Sequence, residues 1–254
     1  MKFRVLGAFG GEGLGHRPSA FLINDRTLID AGTVSSALTV PEQLSIEYAL
    51  ISHSHLDHIA GLVYLSETLG FCETGAAVTV TGIDPVVSTL RWSVFNNVLW
   101  PDFSKIPHAD VPVVKYRALV EDVEQRVADL WVTPVHVNHT VPTTGFIIHD
   151  GSSGLIYSGD TGPTDALWRA ARGLHGLGAV ILECAFPNRL GPLAEIAKHL
   201  TPTLISRELD KLPPDLPVLI YHVKPQFHEE IAEELERIGS ARVSILEQDK
   251  TYAV

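Results

Sequence analysis

Residues 51–62 read I-S-H-S-H-L-D-H-I-A-G-L, and four metal-competent side chains, His53, His55, Asp57 and His58, fall within six positions. An apolar run, Tyr48–Ile51, leads into them and a small-residue apolar stretch follows. His53 and His55 are two apart, so an extended backbone points both side chains to one face. Asp57 and His58 come where the chain turns toward a helix and can aim at a neighbouring point. Such a cluster can feed two metal ions rather than one. Imidazole and carboxylate suit zinc, and also manganese or iron. A histidine-rich surface turn would have no reason to follow a buried strand.

Two metals need more donors than one cluster supplies. Three more stand at the ends of other apolar runs: His139 after Leu130–Val137, Asp160 after Leu155–Tyr157, and His222 after Val218–Tyr221. Open α/β sheets place their ligands and active sites at the C-terminal ends of strands.

The elements that must position these residues follow from hydrophobic periodicity and turn signals. Strands are expected at 3–8, 20–23, 27–30, 48–52, 77–81, 111–116, 130–137, 145–149, 155–158, 179–183, 218–221 and 243–246. Residues 145–158 read as a hairpin turning through D-G-S-S-G. Helices are expected at 57–69, 84–99, 164–174, 201–209 and 229–238, the second starting with Asp84 as N-cap and Pro85 at the first helical position. Residues 100–110 read as an irregular excursion. The first half is strand-rich and the second alternates strand and helix, which suggests two sheets with helices outside, in a single domain over 1–254.

The bulk properties narrow the classes. Hydrophobic residues make up 45% of the chain and charged residues 19%, which supports an ordinary buried core. A net charge of -11 argues against a large nucleic acid as the main partner, but a small anion needs only a local cationic site. Cys72 and Cys184 make no disulfide framework and fit thiols in a reducing compartment. The N-terminal apolar run is too short for a signal peptide, and no run approaches the ~20 apolar residues of a membrane span. A soluble, cytoplasmic protein without membrane attachment is the expectation.

Taken in order, H-S-H-L-D-H, His139, S-G-D-T-G and Y-H-V-K-P resemble the metallo-β-lactamase fold family of hydrolases along nearly the whole chain. The resemblance implies an α/β, four-layer αββα sandwich with its site at one edge of two sheets. It implies two divalent ions, zinc above all. His53, His55 and His139 would hold one, Asp57, His58 and His222 the other, and Asp160 would bridge them. Within that family, the segment G-P-L-A-E-I-A-K-H-L-T-P before Y-H-V-K-P, together with L-G-A-F-G-G and I-L-E-C-A-F, is similar to class II 3′,5′-cyclic-nucleotide phosphodiesterases. The implied activity is hydrolysis of cyclic AMP or cyclic GMP to the 5′-nucleotide. Two metals can clamp the attacking and leaving oxygens of an in-line displacement and generate a bridging hydroxide near neutral pH. Asp57, Asp160 and His199 are the expected catalytic residues, His199 serving the leaving oxygen or a phosphate oxygen. Thr143 and Thr144 are candidate phosphate contacts. Asp30 is expected to support a ligand histidine and Glu183 to play a similar part. His136 reads as structural, His149, His175 and His228 as surface residues, and His16 and His108 as candidates for loops folding over the pocket. Trp92, Phe95, Trp100 and Phe103 could stack on a purine but better fit core packing or a homodimer contact.

Two other hydrolases of the same fold compete. A tRNA 3′-end endonuclease would be expected to carry a basic arm and glycine in H-x-H-G-D-H, where this chain has Leu56. A lactone or thioester hydrolase is opposed only by the C-terminal pattern. A metal-binding scaffold without activity would be expected to lack some of the seven donors, all of which are present.

Overall fold

The computed structural model describes residues 1–254. The first sheet is built from β1 (Lys2–Gly7), β2 (Ala20–Ile23), β3 (Thr27–Ile29), β4 (Tyr48–Leu50), β5 (Val78–Ile83) and β6 (Val114–Leu119). The second contains β7 (Gln125–Val127), β8 (Leu130–His136), β9 (Thr144–His149), β10 (Gly154–Tyr157), β11 (Leu177–Glu183), β12 (Val218–Tyr221) and β13 (Val243–Ile245). A last strand, β14 (Thr251–Ala253), returns to the first sheet, whose order is β14-β1-β2-β3-β4-β5-β6. The second runs β13-β12-β11-β10-β9-β8-β7. In each sheet an antiparallel part gives way to a parallel one: β3, β4, β5 and β6 in the first, β10, β11, β12 and β13 in the second.

The helices are α1 (Val40–Leu44), α2 (Leu56–Ile59), α3 (Gly61–Phe71), α4 (Asp84–Thr89), α5 (Ala166–Ala171), α6 (Gly191–Ala197), α7 (Pro202–Leu209) and α8 (His228–Glu236). Three apolar layers hold the structure together, one between the sheets and one under the helices on either side. The two-residue period of a strand sends alternate side chains to opposite faces. Thus Phe146, Ile148, Leu155 and Tyr157 meet Phe21, Ile23 and Leu50 between the sheets. Ile147 and Ile156 point the other way, onto Leu167, Trp168, Ile205 and Ile231 of the outer helices. Leu22, Ala49 and Val80 of the first sheet likewise pack on Leu62, Leu65 and Leu69 of α3. The result is the helix–sheet–sheet–helix sandwich of the metallo-β-lactamase fold. No helix is long and apolar enough to cross a membrane.

The expected helix over 84–99 is shorter than its periodicity suggests. Ile83, not Asp84, is the N-cap, and α4 passes into a π-helical turn over Leu90–Val94. The chain stops there because Asn96 Oδ1 accepts from the amides of Val98 and Leu99, and Asn97 adopts a left-handed conformation. Side-chain carbonyls of this kind compete with the helical ladder. Phe95 and Phe103 are buried in the outer core, the Trp100 indole donates to Val63 O, and Trp92 alone of the four aromatics is largely exposed.

Candidate metal centre

The functional edge lies where strands of both sheets end. From the first sheet, β3 delivers Asp30, and β4 leads through Ser52 into the histidine cluster. From the second, β8 leads to His139, β10 to Asp160, β11 to Glu183 and β12 to His222. His55 is the N-cap of α2, so Asp57 and His58 fall in its first turn and face back toward the strand end.

Two groups of donors converge. Ligating atoms of His53, His55, His139 and Asp160 all lie within 4.8 Å of one another, as do those of Asp57, His58 and His222. Asp160 sits at their boundary. One of its carboxylate oxygens is 3.3 Å from His58 Nε2, while the other is 3.6 Å from His53 Nε2 and 3.1 Å from His222 Nε2. His222 Nε2 is also 3.2 Å from Asp57 Oδ2, and His139 Nε2 is 3.3 Å from His55 Nδ1. Donors each about 2.0–2.2 Å from one tetrahedral ion stand roughly 3.3–3.6 Å apart, so these separations suit a divalent cation. The polar accounting agrees. His53 Nε2, His58 Nε2 and Asp160 Oδ1 are buried with no hydrogen-bond partner, a state that costs free energy unless something binds there. The donor set therefore fits divalent metal ions.

The opposite ring nitrogens are held in place. His58 Nδ1 lies 2.7 Å from Asp30 Oδ2, His53 Nδ1 3.0 Å from Ser52 Oγ, and His139 Nδ1 3.2 Å from the Lys198 carbonyl. Each leaves Nε2 for the centre, the arrangement by which outer partners fix a ligand's tautomer and direction. Asp30 is the hub of this support: it also accepts from Ser52 N (2.7 Å), Ser52 Oγ (2.7 Å) and the Tyr157 hydroxyl (2.5 Å). Three residues that set the site, Asp30, Lys198 and His222, take the left-handed backbone conformation that non-glycine residues seldom adopt. Such strain persists where the surroundings over-determine it.

Charge states follow from burial and neighbours. Burial pushes His53 well below the usual imidazole range and lowers His139 to about 4, so both rings are neutral near pH 7, as metal ligation requires. Burial works against charge on His58 too, but the Asp160 and Asp30 carboxylates outweigh it and raise the pKa. Burial likewise opposes ionisation of Asp160, and His222 and His58 overcome it. The carboxylates thus create a place for positive charge at the edge of the sandwich.

Two glycines let neighbouring backbones approach the donors. A Cβ at Gly32 would stand 2.0 Å from the Asp57 carbonyl oxygen, and one at Gly10 would stand 2.5 Å from the His222 carbonyl and 2.8 Å from its ring. Gly32→Ala is therefore expected to push α2 outward. Loss of ligand alignment of this kind costs about 10–100-fold in metal affinity. Metal titration with a chromogenic competitor would check this, and unchanged affinity would show that the loop yields instead.

His199, between α6 and α7, faces the centre from a third side, its ligating atom within 4.8 Å of those of Asp160 and His222. Its Nδ1 is 2.7 Å from Glu183 Oε1, and Glu183 also accepts from Thr161 N and Leu200 N. Glu183 thus supports His199 rather than one of the seven donors. Thr143 and Thr144 are fully buried: the Thr143 hydroxyl donates to Val141 O, and the Thr144 hydroxyl, though unpartnered, reaches no solvent, so neither presents a hydroxyl to an incoming phosphate. Their burial is the reason to leave both out of the substrate site. His16 packs its ring on Phe9, 4.3 Å between centroids, and His108 is exposed; neither joins the donor groups. His149 pairs with Glu124 on the surface. No motif in the sequence marks Ser52, Tyr157 or Lys198 for these parts.

The profile of the beta-lactamase superfamily domain matches residues 25–244. A probable 3′,5′-cyclic-nucleotide phosphodiesterase of Yersinia pestis is 28% identical over 211 residues, covering 73% of this chain and 59% of that protein. A 3′,5′-cyclic-nucleotide phosphodiesterase of Schizosaccharomyces pombe is 28% identical over 207 residues, covering 73% of this chain and 56% of that protein. The chain thus spans under three-fifths of the length of either relative. The crystal structure of unliganded yeast PDE1 superposes with a TM-score of 0.82 at 20% identity, covering 98% of each chain, which shows a shared fold. With the profile spanning most of its length and the donors gathered at the sandwich edge, the chain belongs to the beta-lactamase superfamily domain family.

Proposed function

We propose that the protein is a metal-dependent phosphodiesterase that hydrolyses 3′,5′-cyclic nucleotides to 5′-nucleotides. The observation that carries this reading is the convergence of two donor groups on a boundary carboxylate, Asp160, joined to relatives named for that reaction. His53, His55 and His139 would hold one divalent ion and Asp57, His58 and His222 the other, with Asp160 between them; zinc suits the donors best. When bound, the ions supply Lewis-acid stabilisation of the phosphoryl oxygens and a water acidic enough to act as nucleophile near pH 7.

The chain's own residues do the rest. The water gives up one proton to solvent and its oxygen bonds to phosphorus; the P–O3′ bond breaks with its electron pair passing to O3′, which needs a proton. His199 is placed to give it. Glu183 holds its Nδ1, which leaves Nε2 for the substrate, and the ring stands within ligating distance of Asp160 and His222. Burial disfavours the charged ring, but the Glu183 carboxylate outweighs that and raises its pKa, which keeps a proton available. Asp30 and the Lys198 carbonyl hold His58 and His139 against rotation. General-acid assistance is worth about 10²–10⁴-fold, so His199→Ala is expected to lower kcat by that order with little change in KM. An unchanged kcat would make His199 structural.

The direct test is turnover of cyclic AMP and cyclic GMP by purified protein of measured metal content, with products separated by chromatography. Formation of a 5′-nucleotide, lost on chelation and restored by metal, supports the proposal. Absence of turnover at full metal loading removes cyclic nucleotides and leaves the tRNA-endonuclease and lactone or thioester readings of the same fold.

A further inference from the structure

Beside the centre, α6, α7 and the loops bearing Asn138, Gly162 and Asn188 line an open cavity of about 540 Å³. His199 lines it, and the ligating atom of His199 lies within 4.8 Å of those of Asp160 and His222, so the cavity adjoins the centre through the residue proposed to serve the leaving 3′ oxygen. Its volume falls within the roughly 300–1,000 Å³ of small-molecule sites. Only two of its 13 lining residues are hydrophobic, so its occupant is read by polar groups.

The polarity of those groups is specific. Asn188 Oδ1 accepts from Thr203 N at 2.8 Å. Of the two terminal atoms of an asparagine amide only the oxygen can accept from a backbone N–H, so the orientation of Asn188 is fixed and Nδ2 is left as a pure donor. Arg207 is exposed and offers donors only. The neighbouring Glu208 is engaged by Trp168 and Lys211, not by Arg207. The one carboxylate on the wall is Glu195.

We propose that this cavity holds the nucleobase and selects guanine over adenine, Asn188 Nδ2 and Arg207 donating to O6 and N7 and Glu195 accepting from N1–H and the 2-amino group. This rests on the phosphodiesterase reading for its reaction and deepens it by naming the base. Adenine presents an amine at position 6, a donor facing donors, and an acceptor at N1 facing a carboxylate. Arginine paired with guanine O6 and N7 is a recurrent base contact.

The decisive variant is Asn188→Asp. It keeps an acceptor for Thr203 N and exchanges the donor for an acceptor. The ratio of kcat/KM for cyclic GMP to that for cyclic AMP is expected to exceed one in the wild type. It should fall by about tenfold in Asn188→Asp and in Arg207→Gln. A ratio, unlike a rate, is insensitive to a general effect of the new charge. Calorimetric titration with 5′-GMP and 5′-AMP reads the same ranking without turnover. Turnover of both substrates with a ratio that neither variant moves would overturn the base assignment and leave the activity standing. Absence of turnover together with tighter binding of 5′-GMP, weakened in both variants, would uphold the base site and overturn the activity.

Discussion

Asp160→Ala is expected to abolish hydrolysis, lowering kcat/KM by at least about a thousandfold, because it removes the carboxylate at the boundary of the two donor groups and several kcal/mol of transition-state stabilisation with it. Asp160 is almost wholly buried, and one of its oxygens has no protein partner. Its neighbours are three imidazole nitrogens at 3.1–3.6 Å. If Asp160 bridges two ions as proposed, removing it takes a ligand from both at once, so metal content should fall below two per chain. Asp160→Asn separates charge from shape: it preserves side-chain volume yet offers a weaker donor, and should lose activity almost as fully while the fold is kept. Elemental analysis alongside kinetics distinguishes the causes. Substantial turnover by Asp160→Ala would overturn the bridged arrangement.

The second large effect is on stability. Asp30 accepts four hydrogen bonds, from Ser52 N, Ser52 Oγ, His58 Nδ1 and the Tyr157 hydroxyl, all buried. Asp30→Ala leaves these donors without acceptors. Each orphaned group costs about 1–3 kcal/mol, so a loss of at least about 4 kcal/mol is expected, from a total that is typically about 5–15 kcal/mol. Alanine in the left-handed conformation held by Asp30 adds roughly 1 kcal/mol. Asparagine tolerates that conformation and keeps one acceptor, so Asp30→Asn should fall between the two. Urea unfolding of the three metal-free proteins would measure the series. An alanine variant within 1 kcal/mol of wild type would mean that water replaces the carboxylate.

The donors of the centre could be read from the sequence because each ends an apolar run or clusters just past one, and a strand end is a place with a known direction. His139, Asp160 and His222 are far apart in the chain but equivalent in position. Asp30 was legible for the same reason, standing after Thr27–Ile29. What surrounds them was not. Ser52 and Tyr157 act through hydrogen bonds to Asp30, one within a sheet and one between sheets, and no local pattern encodes a contact across layers. Lys198 contributes a carbonyl, which every residue possesses, so its identity carried no signal. Thr143 and Thr144 looked suitable because they follow a ligand, but strand pairing of Thr144 with His136 carries them inside. Among the elements, the short helix α1 was overlooked although T-V-P-E at 39–42 holds its capping signature, Thr39 N donating to Glu42. The helix beginning at Asp84 was overextended because apolar spacing continues past the asparagines that end it.

The gathering of donors from both sheets bears on how fast the molecule comes apart. His55 meets His139 across 84 residues of chain, and Asp57 meets His222 across 165. Contacts of such long range form late, once both sheets have docked, since the loops they close must first lose their freedom. Interactions absent from the folding transition state act chiefly on the rate of unfolding. Loaded protein should therefore fold little faster than stripped protein but open far more slowly. The ions would then lengthen the lifetime of the native chain as well as serve its chemistry.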